Sequence, residues 1–134
     1  RHLDDMVTLA PPLPYREALA EMGQVHALLV LQGDDLMRQI PAKIYEYFRA
    51  GRPLMALTRP EGETGQLLLR EGYGHVVPLG DAESIARHLP GFLAAVRAGA
   101  APVMTRNQAA RFERRTVVGQ LAGVFDTLIA QEGA

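Results

Sequence analysis

The eighteen residues from Ile40 to Leu57, IPAKIYEYFRAGRPLMAL, constrain this chain more than any other stretch, because they place a helix start, a helix stop and a buried strand in succession. Pro41 suits the first helical position, where its missing N–H would have no intrahelical partner, and Gly51 suits the left-handed residue that ends a helix. The predicted helix runs from Pro41 to Ala50. Behind it, Pro53 to Leu57 is a short apolar run bounded by turn residues, the pattern of a strand buried on both faces. A helix feeding such a strand predicts a parallel α/β sheet.

The other elements follow the same punctuation. Met6 to Leu9 reads as a first strand, closed by the rigid turn APPLPY, and Tyr15 to Met22 reads as a helix. Val25 to Leu31 is the clearest buried strand. A helix over 63–71 stops at Gly72, and Gly74 to Leu79 forms the last short strand. A further helix starts at Ala82 with Asp81 as its N-cap, breaks near Pro90 and resumes as GFLAAVRAG. After a linker over 98–105, Arg106 to Ala130 reads as one long amphipathic helix, with Phe112, Val117, Leu121, Val124, Phe125 and Leu128 at helical spacing. The chain thus divides into an α/β segment, 1–97, and a linker with a C-terminal helix packed on it, 98–134.

Composition narrows the function classes. A formal net charge of -1, from 14 Lys+Arg against 15 Asp+Glu, provides no global field for nucleic acid. The absence of Cys excludes disulfides, thiolate metal sites and thiol catalysis, and suits a cytoplasmic location. No apolar run approaches the ~20 residues that span a bilayer. His2, His26, His75 and His88 form no i,i+4 ligand pair and read as structural or surface residues, and Ser84, the one Ser, lies outside any nucleophile-elbow pattern.

In an open α/β sheet, ligands sit where strand ends run into helix N-termini. Three such loops are present: APPLPYRE, QGDDLMRQIPAK and TRPEGETG. The second is the best anion site, since free N–H groups near Ala42 and Lys43, the helix dipole and the Lys43 ammonium all favour phosphate. Glu46, three residues on, places a carboxylate one turn deeper, suited to a diol. From spacing alone, Lys43 and Glu46 read first as a solvated i,i+3 pair. In the third loop, Glu61, Gly62 and Thr64 read equally as ligand contacts or as a solvated turn. Arg111, Arg114 and Arg115 read as a solvated helix face.

The run IPAKIYEYFRAGRP, the Gly/Glu-rich loop after it and EGYGHVVPLGDAESIARHL together resemble the C-terminal, donor-binding half of retaining GT-B glycosyltransferases of the GT4-like group. The resemblance covers roughly Val7 to Leu89. Its specific part is the Lys-x-x-Glu-Tyr helix with an Ala-Gly-x-Pro exit. It implies a Rossmann-like three-layer α/β/α parallel sheet lacking its first strands, which holds a nucleoside diphosphate sugar as donor substrate, with no cofactor and no metal. By the same resemblance Glu46 accepts the ribose hydroxyls, and Pro12 and Leu13 lie near the nucleobase with Tyr15; the diphosphate of such a donor is then expected at Ala42 and Lys43, with Glu61, Gly62 and Thr64 as the loop candidates for the sugar or diphosphate.

One departure bears on chemistry. The commoner motif of the group is Glu, seven residues, Glu, and eight positions before Glu46 this chain carries Arg38. The first carboxylate, near the reaction centre in the family, is missing, and Asp34 or Asp35 would replace it only by loop rearrangement. No catalytic residue is assigned. The chain opens on Arg1 and reads as part of a longer protein, whose N-terminal acceptor-binding domain is the expected partner and the only route to a membrane. The piece alone is expected to transfer no sugar. The alternatives are a noncatalytic α/β nucleotide-binding or interaction module and a GT-B-fold sugar-nucleotide epimerase.

Overall fold

Apolar residues at successive positions of a strand must be hidden on both faces of a sheet, and the computed structural model, which describes residues 5–132, shows how far this chain achieves that. The elements are α1 (Tyr15–Met22), β1 (Leu28–Leu31), a single 3-10 turn (Asp34–Leu36), α2 (Lys43–Ala50), β2 (Leu54–Leu57), α3 (Glu63–Arg70), β3 (Val76–Val77), α4 (Ala82–Arg97), α5 (Arg106–Ala110) and α6 (Arg114–Glu132). The strands form one parallel sheet in the order β1-β2-β3. Leu28 lies opposite Leu54, Leu31 opposite Leu57, and Ala56 opposite Val76.

Alternation sends the strand residues to two cores. On one face Val30, Leu54, Ala56 and Val76 pack with Ile44 and Phe48 of α2, Leu67 and Leu68 of α3, and Met104 and Ala109 beyond α4. Phe48, 1% exposed, stacks there on the buried Tyr73 with ring centroids 5.7 Å apart. On the other face Met55, Val77 and Phe92 of α4 form a smaller core. Leu29 and Leu31, on that face of β1, stay exposed.

Two glycines fix the geometry around α2 and α3. Gly51 adopts φ 61° and ends α2 in the left-handed conformation the sequence predicts. At Gly65 a Cβ would lie 2.2 Å from the Arg59 carbonyl oxygen, so the first turn of α3 closes on its own loop only because that atom is missing.

The structure corrects three expectations. Met6 to Leu9 is not a strand: Met6 lies in a turn and the residues after it are irregular, with Met6 and Leu9 largely exposed, because the prolines behind them interrupt regular pairing and no strand among the described residues pairs with them. Pro90 does not break its helix, and α4 runs through it without interruption. Pro90 is solvent-exposed, so the carbonyl it leaves without an N–H can be hydrated, while Asp81, whose Oδ1 accepts from the Ser84 amide at 2.9 Å, caps the start of the helix and buried Phe92 anchors the part after Pro90. The predicted long helix divides into α5 and α6. A capping box between Thr105 and Gln108 sets the short α5, and the turn at 111–113 lets Phe112 pack on Tyr45 and Phe48.

It is α5, not α6, that seats the C-terminal segment on α2. Val117, Leu121, Val124, Phe125 and Leu128 of α6 all remain about half exposed. Among the described residues no helix is long and apolar enough to cross a membrane. His2 lies outside the described residues.

Candidate functional site

The start of α2 leaves donors without acceptors. Ala42 is already helical, at φ −56° and ψ −31°, and Ile44 and Tyr45 turn their amides back onto the Pro41 and Ala42 carbonyls at 3.0 and 3.1 Å. The amides of Ala42 and Lys43 have no protein acceptor among the described residues. They sit at the positive end of the helix dipole, beside the exposed Lys43 side chain.

One turn deeper, Glu46 is half-buried, and its Oε1 accepts the Tyr15 hydroxyl at 3.0 Å. That bond holds the Tyr15 hydroxyl protonated, raising its pKa above the ordinary phenol value, with smaller opposing effects from Arg49 and Arg114. Tyr15, Ala42, Tyr45, Glu46 and Arg49 line a cavity of about 460 Å³ together with Phe112, Glu113, Arg114 and Arg115. Three positions singled out in the sequence, Ala42, Glu46 and Tyr15, therefore meet at one concavity.

The remaining expected contacts lie elsewhere. Glu61 and Gly62 line a second cavity of about 640 Å³ together with Asp34, Asp35, Arg38 and Glu63. Arg59, which does not line this cavity, binds Asp34 at 2.6 Å and holds that carboxyl below the usual range, so Asp34 is engaged by a guanidinium rather than free. Gly62 faces the Met37 carbonyl, where a Cβ would lie 3.2 Å away, and the Glu63 amide donates to that same oxygen at 2.8 Å. The Thr64 hydroxyl is buried and donates to the Gln39 carbonyl at 2.9 Å, tying α3 to the loop before α2. Pro12 and Leu13 are exposed in the irregular segment before α1 and line neither of these two cavities.

Sequence reasoning passed over Arg49, Tyr45, Phe112 and the cavity-facing role of Arg114 and Arg115. Arg49 carried a signal, since Lys43, Glu46 and Arg49 recur at three-residue intervals along one helix face. Arg114 and Arg115 carried none, because their placement depends on the turn between α5 and α6. Arg111 behaves differently from its neighbours: it pairs with Glu71 and lies over the Phe112 ring at 5.1 Å. Among the described residues no three His, Asp or Glu side chains gather as metal ligands would. Comparison of the chain with protein-family models, with curated proteins and with solved structures found no match.

Proposed function

We propose that this α/β chain is the nucleotide-sugar-binding part of a glycosyltransferase, built as a Rossmann-like layered domain and completed by an acceptor-binding domain carried elsewhere. The observation that supports this reading is the Glu46 carboxylate. It lies half-buried in the first turn of α2, already accepts one hydroxyl at 3.0 Å, and borders a cavity next to the unsatisfied amides at the helix start. A ribose diol meets the same acceptor, and a diphosphate meets Ala42, Lys43 and the helix dipole. The contribution to catalysis is then electrostatic: fixed N–H groups and one ammonium stabilise charge on the departing diphosphate. With Arg38 in place of a carboxylate, the reading extends to donor binding and assigns no catalytic residue.

The test is calorimetric titration of the protein with uridine, guanosine and adenosine diphosphates and their sugars. Glu46→Gln is expected to lower nucleotide affinity by about 1 to 3 kcal/mol, the range for a hydrogen bond to a charged group. Unchanged affinity in that variant removes the ribose role from Glu46, and with it the main support for the reading.

A further inference from the structure

The cavity beside Glu46 holds positive charge that donor binding at the helix start does not use. Arg49 reaches it from the last turn of α2, and Arg114 and Arg115 reach it from the first turn of α6. Three guanidinium groups thus line a space whose carboxylates are two, Glu46 and Glu113. Among the described residues, Arg59, Arg87 and Arg111 sit in ion pairs, whereas Arg49, Arg114 and Arg115 do not. One oxygen of Glu46 is occupied by the Tyr15 hydroxyl, which leaves its Oε2 as a hydroxyl acceptor. Two aromatic rings line the same space, Tyr45 and Phe112, with centroids 5.6 Å apart.

Guanidinium groups present a planar fork of donors that fits the oxygens of a phosphoryl group, and an aromatic face packs well against a sugar ring. We propose that this cavity binds a phosphorylated polyol, with the phosphomonoester on Arg49, Arg114 and Arg115 and a ring hydroxyl on Glu46. The inference rests on the preceding reading in one respect only, the role of Glu46 as a hydroxyl acceptor. Its phosphate lies toward Arg49, one turn along α2 from Glu46, whereas Lys43 lies one turn the other way, so the two anion positions are separable. The phosphomonoester belongs either to a free sugar phosphate or to a phosphorylated nucleoside.

The experiment titrates the protein with ribose, ribose 5-phosphate, a nucleoside 5′-monophosphate and inorganic phosphate. It compares the natural chain with the Arg114→Gln/Arg115→Gln double variant, Arg49→Gln and Lys43→Ala. Ribose 5-phosphate is expected to bind at least tenfold more tightly than ribose, to lose at least tenfold in the double variant, and to change less than twofold in Lys43→Ala. Tighter binding of the nucleoside monophosphate than of ribose 5-phosphate identifies a nucleotide source, and equal binding identifies a sugar phosphate. The arginines are exposed, so thermal melting of the variants is expected to match the natural chain. Equal affinity for ribose and ribose 5-phosphate overturns the proposal, as does loss in Lys43→Ala with retention in the arginine variants. Loss in the arginine variants, with nucleoside diphosphate affinity untouched by Glu46→Gln, keeps the arginine site and removes the donor reading.

Discussion

Tyr15 and Glu46, 31 residues apart in the chain, are joined by a hydrogen bond in which the phenol donates to Oε1 at 3.0 Å. The bond ties α1 to α2 at the mouth of the cavity and occupies one carboxylate oxygen while leaving the other open. Because both partners reach solvent there, Tyr15→Phe is expected to cost no more than about 1 kcal/mol in stability by denaturant unfolding. The same substitution releases Oε1, so affinity for a ribose-bearing ligand should stay level or rise. A tenfold loss would show that Tyr15 touches the ligand itself.

Lys43 distinguishes a phosphate contact from a solvated ion pair. Lys43→Ala is expected to weaken nucleoside diphosphates far more than the bare nucleoside, with the difference shrinking as salt is added. Lys43→Arg restores the charge but not the compact ammonium, so partial recovery is expected. If Lys43 only pairs with Glu46, both substitutions shift stability by no more than about 0.5 kcal/mol, and equal affinity losses for the two ligands remove phosphate from its role.

Phe48 anchors the larger core, buried among Tyr73, Tyr45 and Phe112. Phe48→Ala should destabilise the fold by about 3 to 5 kcal/mol through lost burial and the cavity left behind. Leu128→Ala, on the exposed stripe of α6, should stay within about 0.5 kcal/mol. Chemical denaturation of both variants checks the contrast, and comparable losses would mean that α6 is covered in solution.

His75 supplies a pH dependence with a defined sign. Its Nδ1 is buried without a partner among the described residues, its ring meets Phe92 edge-on at 5.0 Å, and burial, then the nearby His88, pushes its pKa below the ordinary 6.5. The unfolded chain therefore binds a proton that the folded one refuses, and stability falls as pH drops through 6.5 toward the depressed folded value. Melting temperature should decline across that window in the natural chain. In His75→Phe, which keeps an aromatic contact with Phe92, the decline should flatten; an unchanged slope would place the titration elsewhere.

The middle of the chain was the most legible in sequence because local chemistry and tertiary position agree there. Gly51 ends α2 as a left-handed residue, Asp81 caps α4 through its side chain, and the aliphatic run before Gln32 becomes the strand β1. The failures share one physical cause. Met6 to Leu9 has strand-forming residues but no neighbouring strand to pair with, and pairing is not a local property. The turn at 111–113 exists because Phe112 finds Tyr45 and Phe48, residues more than sixty positions away, so helical periodicity ran straight through it. The same distance concealed half of the candidate site. Spacing made Lys43 and Glu46 a pair on one helix face, whereas the meeting of Glu46 with Tyr15 and Arg114 required the fold.

The order of the strands in the sheet is also their order in the chain, with each strand paired to the one before it. A ribosome delivering this polypeptide hands each new strand to a neighbour that has already emerged, and no strand must wait for a distant segment before it can dock. Among the described strands, assembly of the sheet during synthesis then follows chain order, from β1 to β3. The side of β1 that β2 does not occupy has no paired strand among the described residues.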